Sequence, residues 1–263
     1  KILVLLYFFL SACVASIISL TMCYIQSIIG RQSIVSTLSQ LYASSIIKRN
    51  NTLILLFFEL PSILAGLTFG YIFLLTHYAI PSVGILLTMY GFNIITIVSF
   101  LGLQSRFIAQ AFLGAISAHP QHASLFSNRF LIILTIMQAP LLLNLISIFV
   151  SSSKVLFLLE HDILTTSKIL MIVSSLILLL LSSIGSILGI KHAATTFIGA
   201  GQFFPNTIKH NFAQFIVNIG LIEIPLIFSF ALGFLIIQGI GLTISSQWPA
   251  VATSLIIFGG ICL

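Results

Sequence analysis

Long apolar segments separated by short links run along nearly the whole chain of 263 residues. A helix needs about 20 apolar residues to cross the hydrocarbon core of a bilayer, and six segments reach that length. They lie at residues 2–29, 52–76, 83–113, 130–152, 167–198 and 211–241, and a seventh begins after Pro249. Because lipid cannot satisfy backbone hydrogen bonds, we predict an all-α membrane protein of transmembrane helices.

The composition agrees with lipid as the main solvent. Hydrophobic residues make up 59% of the chain and charged residues 5%, with four carboxylates in all, whereas a soluble domain carries about 25% charged residues. The net charge of +6 is dispersed, which argues against nucleic acid as a partner. The three cysteines lack ligand spacing, so we predict no metal and no cofactor.

The charges also divide the links into two kinds. Links between the first and second, third and fourth, and fifth and sixth segments, together with the ends of the segments that lead into them, carry basic residues and no acid: Arg31, Lys48, Arg49, Arg106, Arg129, Lys191 and Lys209. The alternate links are uncharged or balanced. Since positive residues stay on the cytoplasmic side, we predict three helical hairpins whose loops face the cytoplasm.

One local motif recurs in the second helix of each hairpin: an acid or amide, any residue, then proline. It reads Glu59-Leu60-Pro61, Gln138-Ala139-Pro140 and Glu223-Ile224-Pro225, at spacings of 79 and 85 residues. Pro120 and Pro205 each precede the motif by 18 residues. The predicted organisation is therefore a hairpin at 1–76, a hairpin at 77–152, a hairpin at 153–241, and the start of a fourth at 242–263.

These hairpins resemble subunit c, the proteolipid of rotary F-type and V-type ATP synthases, over nearly the whole chain. The third hairpin is the best match, with small residues such as Gly185 and Gly189 on its first helix, the loop Phe204-Pro205-Asn206, and Glu223 before a proline. The chain departs from the family in two ways. The Arg-Gln pair before the loop proline is replaced by Ala118-His119 and Phe203-Phe204, and the glycines are thinned to Ala and Ser.

The resemblance implies a fused, multi-hairpin subunit whose copies assemble into a c-ring. Protons would be carried on Glu59 and Glu223, supported by Gln26, Pro61 and Pro225, while the amide Gln138 would leave the middle hairpin silent. Sodium is the poorer cargo, because sodium-carrying relatives place a hydroxyl residue after the acid and this chain has Leu60 and Ile224.

The resemblance also implies partners and a place in the cell. A stator subunit a would supply an Arg, and the loops at Pro120 and Pro205 would contact the central stalk. ATP chemistry would belong to other subunits, so we expect no catalytic residue in this chain. The location implied is an energy-transducing membrane, a bacterial inner membrane or its organelle equivalent, with the loops on the cytoplasmic or matrix side.

The physical argument leaves alternatives open. An ionisable residue inside a membrane is costly and is by default a functional hypothesis. Glu59 and Glu223 fit a proton-coupled secondary transporter built from hairpin repeats, and also a membrane scaffold in which neutral carboxyl groups hold helices together. Lys191 lies one position past the point where the family places a polar partner for the acid. It either extends toward the loop end or holds Glu223 ionised.

Overall fold

The computed structural model describes residues 84–160, 165–239 and 254–260. Helices account for 96% of these residues, and no strand occurs among them. The long helices are α1 (Gly84–Ala118), α2 (Ala123–Met137), α3 (Ala139–Glu160), α4 (Thr166–Gly201) and α5 (Pro205–Gly239). Residues 254–260 are also helical. The predicted all-α fold is confirmed for this part of the chain, while the first two predicted segments, 2–29 and 52–76, lie outside the described residues.

Four stretches are long and apolar enough to cross a membrane. They are Met89–Ala118, Pro120–Val155, Thr166–Gly201 and Ile208–Gly239. Each has at least 30 residues, so a straight helix of this length measures about 45 Å or more against a hydrocarbon core of about 30 Å. Such helices point to an integral membrane protein, and at the turns after residues 118 and 201 they extend beyond the apolar segments predicted from the sequence.

Prolines mark the points at which the chain reverses. Pro120 opens a short 3-10 turn that ends at His122 and leads into α2, and Pro205 is the first residue of α5. Proline suits the first position of a helix because the missing N–H has no partner there in any case. The chain therefore turns at residues 119–122 and again at 202–204.

Stacked phenylalanine rings join the two helices on either side of each turn. Phe112 of α1 stacks on Phe130 of α2 with ring centroids 4.4 Å apart. Phe197 of α4 stacks on Phe215 of α5 at 4.3 Å. Each contact joins a residue of the helix before the turn to a residue of the helix after it, as in an antiparallel helix pair. Both described turns thus connect the two helices of a hairpin.

The second helix differs between the two hairpins. In the hairpin that starts with α1, the second helix is interrupted at Gln138, and α3 starts at Ala139. The Gln138 N–H donates to the Thr135 carbonyl at 3.2 Å. Pro140 follows, and a proline within a helix removes one backbone hydrogen bond. In the second hairpin α5 runs through Pro225 without a break. The same motif is therefore compatible with an interrupted or a continuous helix.

The described residues belong to two compact units, and α1, α4 and α5 each contribute to both. The first unit contains Val98–Ala139 and Ile187–Ile222, and the second contains the described residues up to Ile97, then Pro140–Ser186, then those from Glu223 onward. Both have apolar interiors, with Ile108, Phe112 and Phe126 buried in the first. Ile148 and Leu178 are buried in the second.

Candidate functional site

Close contacts hold α4 and α5 together along their length. In the second unit, Ser182 and Ser229 share a hydrogen bond of 2.6 Å between their hydroxyl oxygens. In the first unit, a Cβ on Gly189 would lie 2.5 Å from Cγ2 of Ile222. Only glycine fits at 189 without displacing that isoleucine, which agrees with the small residues noted on this helix. The acid position of the motif is thus carried on a closely packed antiparallel pair.

The two hairpins also contact each other, and the contacts share one register. In the second unit, Asn93 of α1 donates from Nδ2 to the Leu176 carbonyl of α4 at 3.1 Å, across 83 positions. A seventh segment repeats the arrangement there. A Cβ on Gly259 would lie 3.1 Å from the Cα of Leu178, 81 positions earlier.

The first unit shows the same offset at three places. Nε2 of His119 lies 2.8 Å from the Gln202 carbonyl oxygen, again 83 positions away. The Arg129 guanidinium of α2 lies 4.1 Å from the centroid of the Phe212 ring of α5, also 83 positions away. The Lys191 ammonium of α4 lies 4.8 Å from the ring of Phe107 of α1, 84 positions away. A nearly constant difference, 81 to 84 residues, indicates that equivalent helices lie parallel and side by side.

Glu223 is the one acid of the repeated motif within the described residues, and its carboxyl group is partly enclosed. The residue is half-buried, yet its Oε1 is fully buried and has no hydrogen-bond partner among the described residues. Most buried polar atoms in proteins have a partner, so an orphaned one calls for an explanation. Pro225, predicted as a supporting residue, lies half a turn away inside α5.

The residues predicted to modulate the acid have distinct surroundings. Gln138 is 6% exposed and caps α2. Lys191 is directed onto the Phe107 ring of α1, and Nε of Arg106 is buried without a hydrogen-bond partner among the described residues. Glu59, Gln26 and Pro61 lie outside the described part of the chain.

The loop residues lie together at one end of the first unit. The hydrogen bond between His119 and Gln202 connects the two turns, and the Gln202 amide also donates to the Ala111 carbonyl at 3.4 Å. Phe203 and Phe204 are 76% and 67% exposed, and Pro120 is exposed as well. The predicted loop contacts Pro120 and Pro205 therefore lie at the two turns that this hydrogen bond connects, and Pro205 directly follows the exposed aromatic pair.

A buried polar layer was not singled out from the sequence. Asn144 of α3 is fully buried, and its Nδ2 donates to Oγ of Ser183 at 2.7 Å and to the Pro140 carbonyl at 2.8 Å. Ser229 of α5 bonds Ser182 on the same helix, α4. The repeat held a signal for this layer, because Asn144 and Ser229 each stand six residues after the motif position.

Neither a cluster of metal ligands among the described residues nor a similar known protein indicates the function of this site. Among the described residues, no three His, Cys, Asp or Glu side chains are grouped so that they could hold a metal ion. Comparisons with protein-family models, curated proteins and solved structures find no match for this chain. The functional argument therefore starts from the hairpin register and from Glu223.

Proposed function

We propose that this chain is a fused, multi-hairpin rotor subunit of a rotary ATP synthase or ATPase, similar to subunit c, and that it carries protons on Glu223 and Glu59. The shared register of the hairpins carries this proposal. Equivalent helices pack side by side at differences of 81 to 84 residues. A row of hairpins related by one recurring residue offset is the arrangement from which a ring is built.

Glu223 supplies the ion-carrying group in this proposal. A carboxyl group inside a membrane is far cheaper to hold protonated than charged, so a protonated Glu223 crosses the lipid-facing part of the cycle as a neutral group. Its half-buried position on the second helix keeps it within reach of a neighbouring stator. A stator arginine would stabilise the carboxylate while the proton leaves, and a proton from the other side would then reload the group.

The middle hairpin is silent in this mechanism. The primary amide of Gln138 has no proton to release under physiological conditions, although it retains hydrogen-bonding capacity. A ring of such chains carries fewer protons per turn than it has hairpins. That ratio favours using ATP to build a gradient, as in fused proteolipids of vacuolar-type pumps.

Carbodiimide labelling tests the proton carriers directly. Dicyclohexylcarbodiimide reacts with protonated carboxyl groups in apolar surroundings, and mass spectrometry locates the adduct. We expect adducts on Glu59 and Glu223 in the membrane-embedded chain, without protection by sodium ions. Glu223→Gln should remove the second adduct and leave the first.

Other labelling patterns give different answers. Protection by sodium would make sodium the cargo. An adduct on Glu59 alone would mean that the third hairpin is inactive, for instance because a cation holds Glu223 ionised. Absence of both adducts would overturn the proposed function and leave a membrane scaffold as the better reading.

A further inference from the structure

Buried oxygen atoms on three neighbouring helices of the second unit have no hydrogen-bond partner among the described residues. They are Oδ1 of Asn144 on α3, Oγ of Ser186 on α4 and Oε1 of Glu223 on α5, and Oδ1 of Asn93 on α1 is a further one. Asn144 is 0% exposed and Ser186 3%. A buried polar group without a partner costs free energy, and the cost is greater where lipid replaces water outside the helices. Three such atoms on three helices suggest a shared role.

Ser186 differs from the other buried serines of its helix. Ser174, Ser175, Ser182 and Ser183 each donate a hydrogen bond to the carbonyl four residues earlier, at 2.6–2.9 Å. This back-bonding is the usual way for a serine to satisfy its hydroxyl within a helix. Ser186 makes no such bond, and its hydroxyl proton is therefore available to another acceptor.

The helix geometry directs Ser186 into the seam between α3 and α5. Ser182 faces α5 through Ser229, and Ser183 faces α3 through Asn144. With about 100° per residue, Ser186 points about 40° from the direction of Ser182 and about 60° from that of Ser183. Its hydroxyl therefore lies between the two neighbouring helices.

Asn144 and Glu223 lie close to the height of Ser186 along the helix axes. With a rise of about 1.5 Å per residue, Ser186 stands about 4.5 Å from the level of the Asn144–Ser183 bond. The second height is measured from the hydrogen bond between Ser182 and Ser229. Glu223 lies six residues from Ser229 along α5, which is about 9 Å from the level of this bond. Ser186 lies four residues from Ser182 along α4, which is about 6 Å from the same level and in the same direction. The Asn144 carbonyl oxygen is the free end of its amide, because Nδ2 already bonds to the Pro140 carbonyl.

We propose that Ser186 is a positioning residue for Glu223 and that its hydroxyl changes partner when the proton leaves. While Glu223 is protonated, its O–H donates to Oγ of Ser186, and the Ser186 hydroxyl donates to Oδ1 of Asn144. After the proton has left, the Ser186 hydroxyl turns and donates to the carboxylate. A serine suits this role because its hydroxyl both donates and accepts. The inference rests on the proposed function, since it assumes that Glu223 gains and loses a proton.

Infrared spectroscopy of the full chain in lipid vesicles tests the contact. The carbonyl stretch of the protonated Glu223 is the band that is present in the spectrum of the unmodified chain and absent from the spectrum of Glu223→Gln. In Ser186→Ala, we expect this band to move to higher wavenumber, as for a carboxylic acid that has lost its hydrogen bond. In Asn144→Leu, we expect a smaller move in the same direction, because Ser186 loses the acceptor that polarises it. Ser174→Ala is the matched control, since Ser174 is fully buried on the same helix and its hydroxyl donates to the Leu170 carbonyl.

The outcomes separate this inference from the proposed function. A Glu223 band at the same wavenumber in Ser186→Ala as in the unmodified chain overturns the role of Ser186 while leaving proton carriage intact. Equal moves in Ser186→Ala and Ser174→Ala also overturn it, since the effect would then be a general loss of packing. If Glu223→Gln removes no protonated-carboxyl band, Glu223 is ionised and the proton-carrier proposal fails. The carboxylate band of Glu223 then decides whether Ser186 contacts it.

Discussion

Asn144 ties the second helix of one hairpin to the first helix of the next. Its amide donates to Ser183 across the helix interface at 2.7 Å, and the side chain has no exposure. Hydrogen bonds between membrane helices contribute about 0.6 kcal/mol on average and up to about 1.7 kcal/mol. Removing the side chain also leaves a cavity, so both effects act in the same direction.

Asn144→Ala should therefore lower the free energy of unfolding in mixed micelles by about 1–3 kcal/mol. Ser153→Ala is a suitable control, because Ser153 lies nine residues further along α3, is exposed, and bonds to the carbonyl of Phe149 on its own helix. Equal stability of the two variants would mean that the interhelical bond of Asn144 contributes nothing measurable.

At the scale of single residues, the sequence predicts the acid Glu223 as a functional residue but does not predict the uncharged polar residues that the structure buries in the second unit. Glu223 stood out because a carboxylate within an apolar segment is rare and costly. Asn144, Ser183 and Ser186 are uncharged, and polar residues of this kind are common in apolar helices. Their importance depends on which face of the helix they occupy and which helix lies opposite, and only the packed structure supplies that information.

Two glycines of α4 allow a matched test at the scale of the helix pair. At Gly189 an added Cβ would lie 2.5 Å from Cγ2 of Ile222, next to the branched carbon of that side chain, whereas at Gly199 nothing lies within 4 Å. We expect Gly189→Ala to destabilise the pair by about 1–3 kcal/mol through overpacking. Gly199→Ala should be neutral or stabilising by up to about 1 kcal/mol, because alanine favours helix.

Thermal unfolding of the two variants in the same detergent provides the comparison. The close α4–α5 packing would be contradicted if Gly189→Ala were as stable as Gly199→Ala. The result is independent of any transport activity, so it tests the fold of the hairpin and not its function.

The helix boundaries show what hydropathy alone can give. Apolar length predicts the segments 167–198 and 211–241, but α4 and α5 meet at a turn of three residues, 202–204. Hydropathy predicts where a segment leaves the hydrocarbon core of the membrane, whereas the helix itself continues until a proline or a change in chain direction ends it. The interruption at Gln138 could not be predicted either, since Pro140 and Pro225 occupy the same motif and only the first coincides with a break.

At the scale of the whole molecule, sequence and structure agree on the length of the repeat. The motif recurs after 85 residues between Gln138 and Glu223, and neighbouring hairpins contact one another at differences of 83 and 84 residues in the first unit. Gly259 also lies close to Leu178, 81 positions earlier, in the second unit, while the start of a fourth hairpin at 242–263 stays a prediction. The family resemblance predicts assembly into a ring, which requires several copies of the chain.

The helix α5 carries the apolar surface that such an assembly would use. Only 22% of its membrane-crossing window is buried, against 50–61% for the other three spans. Val217, Leu221, Phe228 and Leu235 are all at least 60% exposed. In a ring these side chains face lipid or the next chain, whereas in a transporter that works as a single chain they face lipid alone.

The mass of the assembly, measured by native mass spectrometry after gentle extraction from its membrane, tests the central claim most directly. We predict one species made of several copies of the chain, stable enough to survive collisional removal of the detergent. A species that contains a single chain at all concentrations would contradict the rotor and would favour the transporter built from hairpin repeats.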